Sequence, residues 1–202
     1  MEWNKLTQED YITTQWSGGT TTQLAIEPDG ADYAKRDFLW RLSSAEVALE
    51  HSDFTPLPDY NRLLSVLRGK IDLKVGDGSS EPLALGQVCA FDGGVPVESW
   101  GTCTDFNLMV RKGVCSGLVQ YLELTQGGSM IWTMPVLTPE EGGIHALALY
   151  CIVGDLSMEQ EGTIQQGHCF LCRDAIAQPL HLSSESGCKV LVAVVHRKET
   201  GR

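Results

Sequence analysis

Apolar and polar residues alternate with a period of two along much of this chain. Ile71, Leu73 and Val75 alternate with Lys70, Asp72 and Lys74, so this segment has one apolar face and one wet face. That is the pattern of a half-buried β-strand. Gly76-Asp77-Gly78-Ser79 follows and supplies a turn. Phe38 to Leu49 is a longer candidate strand. Phe38, Trp40 and Leu42 share one face; Leu39, Arg41, Ser43, Ala45, Val47 and Leu49 share the other. The rigid loop Pro56-Leu57-Pro58 leads into a further strand, Arg62 to Leu67. Helical periodicity is hard to find. Thr138-Pro139-Glu140-Glu141 could open a short helix, but Gly142-Gly143 follows at once.

The strand pattern occurs twice. Val66-Leu67-Arg68-Gly69-Lys70-Ile71-Asp72-Leu73 resembles Ile152-Val153-Gly154-Asp155-Leu156-Ser157-Met158. Each stretch is followed by a turn and then a glycine that opens an apolar strand, Gly86 to Phe91 in one half and Gly167 to Cys172 in the other. Each half closes on a third strand, Asp105 to Arg111 and Lys189 to Val195. A strand-rich unit used twice predicts an all-β protein of two tandem antiparallel β-barrels, jelly-roll-like and packed as one unit. The halves are expected at residues 1–115 and 116–202, with the segment from Gly113 to Gly143 contributing strands to both.

Charge narrows the range of partners. The 202 residues carry 26 Asp and Glu against 15 Lys and Arg, a formal net charge of −11. Phosphate contacts need clustered cations, and no basic run offsets the acidity, so nucleic acid is not an expected partner. Met1-Glu2-Trp3-Asn4-Lys5 lacks the basic start and apolar run of a secretory signal. No apolar segment is long enough to span a bilayer. The expected location is the cytosol, with no membrane partner; a homodimer is compatible with the chain. Seven scattered cysteines read as buried thiols in strands. Cys169 and Cys172 form a Cys-x-x-Cys, but in a strand they point to opposite faces, and a redox or metal pair would need a turn there.

The histidines do not form a metal-ligand pattern. Metal-binding cupin barrels place two histidines and a glutamate ahead of a strand ending in a glycine turn, with a further histidine after a second turn. Here Phe54 to Arg62, running into Val66-Leu67-Arg68-Gly69, contains no histidine, and neither does Phe91 to Val97. His51 stands alone beside Glu50. His145, His168, His181 and His196 have no ligand spacing. The first half therefore reads as metal-free, and no cofactor is expected. There is no nucleophile elbow, phosphate-binding loop or dinucleotide fingerprint.

What remains is a set of polar residues inside apolar strands. Arg41 and Ser43 lie in Phe38 to Ala45, Arg62 precedes Leu63-Leu64-Ser65-Val66, and Asn107 lies in Phe106-Asn107-Leu108-Met109. Such residues are costly in a core unless paired or facing a cavity. They could form internal ion pairs, with Asp92 or Asp105 for example, or they could line a pocket for an anion, since the guanidinium fork fits a carboxylate. Trp16-Ser17-Gly18-Gly19 supplies a flat wall and a backbone that can approach a ligand closely, or simply a tight turn with an anchoring Trp.

Five segments together resemble the HutD/Ves family: Trp16 to Thr21, Phe38 to Ala45, Phe54 to Arg62, Phe91-Asp92-Gly93-Gly94, and Thr104 to Met109. Their order and spacing fit over about the first 115 residues. The resemblance implies a fold of two cupin barrels, a bacterial cytosolic protein and no cupin metal ligands. Some members are associated with histidine utilisation, with an acidic intermediate such as N-formylglutamate as suggested ligand, and others with environmental stress. The expected protein is a metal-free bicupin binding a small carboxylate metabolite in a regulatory or sensing role. Arg41 and Arg62 would be the charge partners, Ser43 and Asn107 would orient the ligand, and Trp16 would wall the pocket. The rival is a metal-independent isomerase or hydrolase in the same barrel, with Asp105, Asp92 or Tyr60 as acid or base.

Overall fold

The computed structural model describes residues 1–135 and 143–198, and nearly all its regular structure is strand. The first strands are β1 (Trp3–Leu6), β2 (Ile12–Trp16), β3 (Gly19–Glu27), β4 (Trp40–Val47) and β5 (His51–Asp53). Then come β6 (Tyr60–Val75), β7 (Ser80–Ala84), β8 (Val88–Asp92), β9 (Val97–Trp100) and β10 (Cys103–Arg111). The remainder are β11 (Cys115–Leu124), β12 (Ser129–Trp132), β13 (Gly143–Met158), β14 (Gly162–Gln165), β15 (Cys169–Arg173), β16 (Leu180–Ser183) and β17 (Cys188–Arg197). Among the described residues the only helical turn is a 3-10 turn at Tyr33–Lys35. The helix start expected at Thr138 to Glu141 lies outside the described residues. No helix among them is long and apolar enough to cross a membrane.

The chain divides into two compact units, Tyr11–Gly117 and the combination of Met1–Asp10 with the chain from Leu118 onward. The expected division at 115/116 groups the first ten residues with the first half instead. The reason is strand pairing. β1 lies antiparallel to β15, from Trp3 opposite Cys172 to Leu6 opposite Cys169, and Trp3 meets Phe170 edge-on at 6.2 Å. A four-residue strand carries no pattern that reveals a partner far along the chain.

Both units use one pairing scheme. β6 pairs with β7, β8, β9 and β10, and β13 pairs with β14, β15, β16 and β17. The sequence suggests separate strands at Arg62 to Leu67 and Lys70 to Val75; the structure runs them as one. Gly69 is the pivot, with φ +81°. Before it β6 pairs with β8 and β10, and after it with β7 and β9. Gly154 does the same in β13, at φ +82°. Left-handed backbone within a strand favours glycine. The faint sequence repeat marks these two pivots.

Alternation along each strand sorts side chains between a packed interior and a second surface. Leu64, Val66, Ile71, Leu73, Phe91 and Val97 form one core cluster of the first unit. Phe170, Leu149, Leu156, Val190 and Val192 belong to the core of the second. Full burial of such a side chain is worth about 1.5–3 kcal/mol. All seven cysteines are free, and every one except Cys89 is buried. Burial pushes the Cys169 thiol up to about 12 and raises that of Cys172, so the Cys-x-x-Cys is packing.

Candidate functional site

The site is built on a single face of the first unit's sheet. In β4, Arg41, Ser43, Ala45 and Val47 share that face by alternation. Across β10 they stand opposite Met109, Asn107, Asp105 and Cys103 in turn. Met109 is also opposite Arg62 of β6. On the other side of β4, Thr21 of β3 is opposite Ala45, and Thr14 of β2 is opposite Thr21. Directly opposed residues point the same way. This row curls around a cavity of about 270 Å³. Trp16, Arg41, Ser43, Arg62 and Asn107, which lie on four strands, all line it. Tyr33, Phe54 and Asp105 line it too.

Two arginines, Arg41 and Arg62, and two carboxyls, Asp53 and Asp105, line the cavity. Arg41 is 4% exposed and Arg62 6%. Arg41 Nε donates to Gln23 Oε1 at 2.8 Å, and Nη1 donates to Ser43 Oγ at 3.1 Å. Desolvation pulls Arg41 down to about 10; Arg36 and Arg62 act the same way, and Tyr33 opposes them. Burial also lowers Arg62, with Asp105 and Tyr33 acting in the other direction. The Arg62 guanidinium lies 4.9 Å from the Phe54 ring and 5.4 Å from the Phe91 ring. Arg62 Nε, Asn107 Oδ1 and Ser52 Oγ are buried with no hydrogen-bond partner among the described residues. Buried polar atoms are rarely left so, and here all three belong to residues that line the cavity.

Of the three acid–base candidates, only Asp105 faces the cavity. Asp92 is taken up elsewhere, accepting from Lys112 Nζ at 2.5 Å and from the Gly94 N–H at 2.7 Å. It therefore does not pair with the arginines. The Tyr60 hydroxyl anchors a loop by donating to the Arg36 carbonyl at 2.9 Å, while Arg111 Nη2 donates to that hydroxyl at 2.7 Å. Asp105 is 5% exposed and accepts the Ala45 N–H at 3.1 Å. Desolvation pushes its carboxyl up to about 7, against the pull of that hydrogen bond and of Arg62.

Two glycines explain the Trp16 wall. Trp16 is opposite Gly19 in the β2–β3 hairpin. A Cβ on Gly18 would stand 2.0 Å from the Trp16 indole, so Gly18 is the floor on which the ring lies. Gly19, at φ +149°, passes so close to β4 that a Cβ would be 1.8 Å from the Glu46 carbonyl oxygen. Tyr33 enters from the 3-10 turn, with its ring centroid 4.3 Å from the Arg41 guanidinium carbon and 3.9 Å from that of Arg36. The sequence gives no sign of Tyr33, which sits in a polar loop without periodicity. Phe54 opens one of the segments that carry the family resemblance.

The lining does not suit a transition metal. Among the described residues it offers two guanidiniums and the carboxyls of Asp53 and Asp105, with no imidazole or thiolate. His51 is not alone, however. Its Nε2 lies 3.3 Å from Glu98 Oε2, and Lys74 Nζ lies 3.3 Å from Glu98 Oε1. His51, Asp53 and Glu98 bring potential ligand atoms within 4.8 Å of one another, on residues that are exposed or half-exposed. Lys74 and His51 both pair with Glu98.

The sequence matches the HutD family over residues 8–191. In structure the chain is similar to PA5104 from Pseudomonas aeruginosa PAO1, with 28% identity, a TM-score of 0.77, and coverage of 96% of this chain and 99% of that one. It is similar to HutD from Pseudomonas fluorescens SBW25, with 18% identity, a TM-score of 0.76, and coverage of 98% and 100%. It is also similar to YhhW from Escherichia coli, with 8% identity, a TM-score of 0.68, and coverage of 96% and 97%. The fold is all-β and cupin-like.

Proposed function

This chain belongs to the HutD family, and from that premise we propose that it is a metal-independent cytosolic bicupin that binds a small carboxylate metabolite as a regulator or sensor. Each compact unit is then one cupin barrel, and the ligand occupies the first. Histidine utilisation, with which the family resemblance is associated, makes N-formylglutamate the representative ligand.

One observation carries the reading. Arg41 and Arg62 are buried on strands that flank β10, opposite the same residue, Met109, and both line one cavity. Two guanidiniums held together away from water repel each other, and a carboxylate between them relieves both that repulsion and the orphaned Arg62 Nε. Ser43 and Asn107 would fix the ligand's orientation, and Trp16 would close one side.

The test is a calorimetric titration of wild type and Arg62→Met with N-formyl-L-glutamate, with melting temperatures of both unliganded proteins. Loss of Arg62 is expected to weaken binding by about 2–5 kcal/mol, as for one partner of a desolvated charged pair. The empty protein should lose little stability, because Arg41 is freed of a like-charged neighbour. Unchanged affinity with a large drop in melting temperature would assign Arg62 to the fold alone.

A second reading draws on Asp105. A carboxyl raised to about 7 and facing the cavity has the proton affinity of a general acid or base at neutral pH. On that reading the protein is a metal-independent isomerase or hydrolase. Incubation with the same compound, followed by mass spectrometry, would reveal a product; none after prolonged incubation would exclude turnover of that compound.

A further inference from the structure

We propose that Asp105 is a proton-binding site coupled to the anion site, so that the cavity takes up a carboxylate ligand and a proton together. The inference rests on the carboxylate-binding reading above and adds to it how binding responds to pH.

The geometry poses the problem. Asp105 precedes Asn107 by one alternation on β10 and stands opposite Ala45 of β4, so its carboxyl shares the face that carries Arg41, Ser43 and Asn107. It lines the same cavity as both arginines. Its Oδ1 accepts one backbone N–H, from Ala45 at 3.1 Å. An ionised Asp105 would thus place a second negative charge beside any carboxylate held by Arg41 and Arg62. At separations set by a cavity of about 270 Å³, like charges in a protein interior disfavour each other by about tenfold or more. A protonated Asp105 removes that opposition and keeps its hydrogen bond to Ala45.

The neighbouring charges set the direction. Arg62 on β6 is the cation that favours the ionised form of Asp105. Tyr33 and Arg36 on the 3-10 segment act on both guanidiniums, and Arg62 acts on Arg41 of β4. On β10, burial and Asp105 push the Cys103 thiol up to about 12, so it stays neutral. Asp53 on β5 adds a further carboxyl to the lining. The lining residues Thr14, Trp16 and Thr21 on β2 and β3 carry no charge. When a ligand carboxylate occupies Arg62, the pull that keeps Asp105 ionised is cancelled, and the proton affinity of Asp105 rises. Binding therefore consumes a proton whenever the empty cavity lacks one.

The experiment is calorimetric titration of the full-length protein with N-formyl-L-glutamate at about pH 6, 7 and 8, each in two buffers of different ionisation heat. Both ligand carboxyls are ionised throughout this range. Affinity is expected to fall about tenfold from pH 6 to pH 8, with uptake of about half a proton per ligand near pH 7. Asp105→Asn, which retains an oxygen for the Ala45 N–H, is expected to bind with a flat pH profile and no proton uptake. The wild-type measurement stands without the variant, should the variant fold poorly. Binding of equal strength at all three pH values with no proton uptake overturns this inference and leaves the carboxylate reading intact. Proton uptake that persists in folded Asp105→Asn also overturns it. No binding at any pH rejects the carboxylate reading, and this inference with it.

Discussion

Asp105 is placed where its charge is hardest to keep. Its carboxyl is pushed up to about 7 by burial, whereas an unfolded chain holds aspartate near ~3.9. Between those values the folded protein retains a proton that the unfolded chain has released. The contribution of this residue to stability therefore falls as pH rises from about 4 to about 7, and stays low above that. The full penalty is on the order of 4 kcal/mol. Asp105→Asn removes the charge and keeps the acceptor for Ala45. Its melting temperature should track the wild type near pH 4 and exceed it increasingly up to about pH 8. Parallel melting curves across that range would show that Asp105 does not titrate there. Arg62 raises the same issue with the opposite sign. It is a buried cation whose nearest compensation is two aromatic faces and a carboxyl that does not bond to it directly.

At the scale of the element, the β2–β3 hairpin separates two uses of glycine in adjacent positions. An alanine at Gly18 would meet only the Trp16 indole, on an exposed strand that can yield. Gly18→Ala should cost about 0.5–1 kcal/mol or less in stability. It should shift Trp fluorescence and weaken ligand binding several-fold by moving the wall. An alanine at Gly19 would meet the Glu46 carbonyl at 1.8 Å in the backbone of β4, at φ +149°. Gly19→Ala should cost more than about 2 kcal/mol, because strand separation or strain must relieve the clash. Chemical denaturation of both variants checks the contrast; equal destabilisation would refute it. The same reasoning covers Gly154, where a Cβ would stand 1.9 Å from the Gly187 carbonyl oxygen. Continuous strands Tyr60–Val75 and Gly143–Met158 can change partners midway only because such glycines accept left-handed backbone.

At the scale of the whole molecule, the cavity lining lies within Tyr11–Gly117, while the first ten residues belong with the C-terminal unit. Removing Met1–Asp10 strips β1 from β15 and Trp3 from Phe170. The expected cost is about 1–3 kcal/mol of stability, read as a lower melting temperature. Affinity for N-formyl-L-glutamate should stay within about twofold, because no lining residue is lost. A large loss of binding with stability preserved would contradict this assignment of the termini. The net charge of −11 is unlike the cavity, where two arginines converge. The acidity of the chain as a whole therefore does not describe this cavity.

The sequence by itself determined the strand class and the alternation of faces along its clearest strands, while the change of partners at Gly69 and Gly154 emerged only in the structure. Period-2 alternation is a local property that any half-buried strand must display, and it put Arg41 and Ser43 on one face of β4 and Trp40 and Leu42 on the other. Arginine and asparagine inside apolar strands stood out because burying them without a partner is costly, and the structure places them in the cavity lining. Tertiary structure decided which of these faces meet. The β4–β10–β6 pairing sets Arg41 and Arg62 opposite the same residue, and that register depends on contacts more than 60 residues apart in some pairs, such as Arg41 with Met109. It also decided that Asp105 faces the cavity while Asp92 is held by Lys112, that Tyr33 reaches Arg41 from a loop, and that β1 joins the far end of the chain. None of these is written in local alternation, because strand register, loop paths and cavity closure are set by long-range packing.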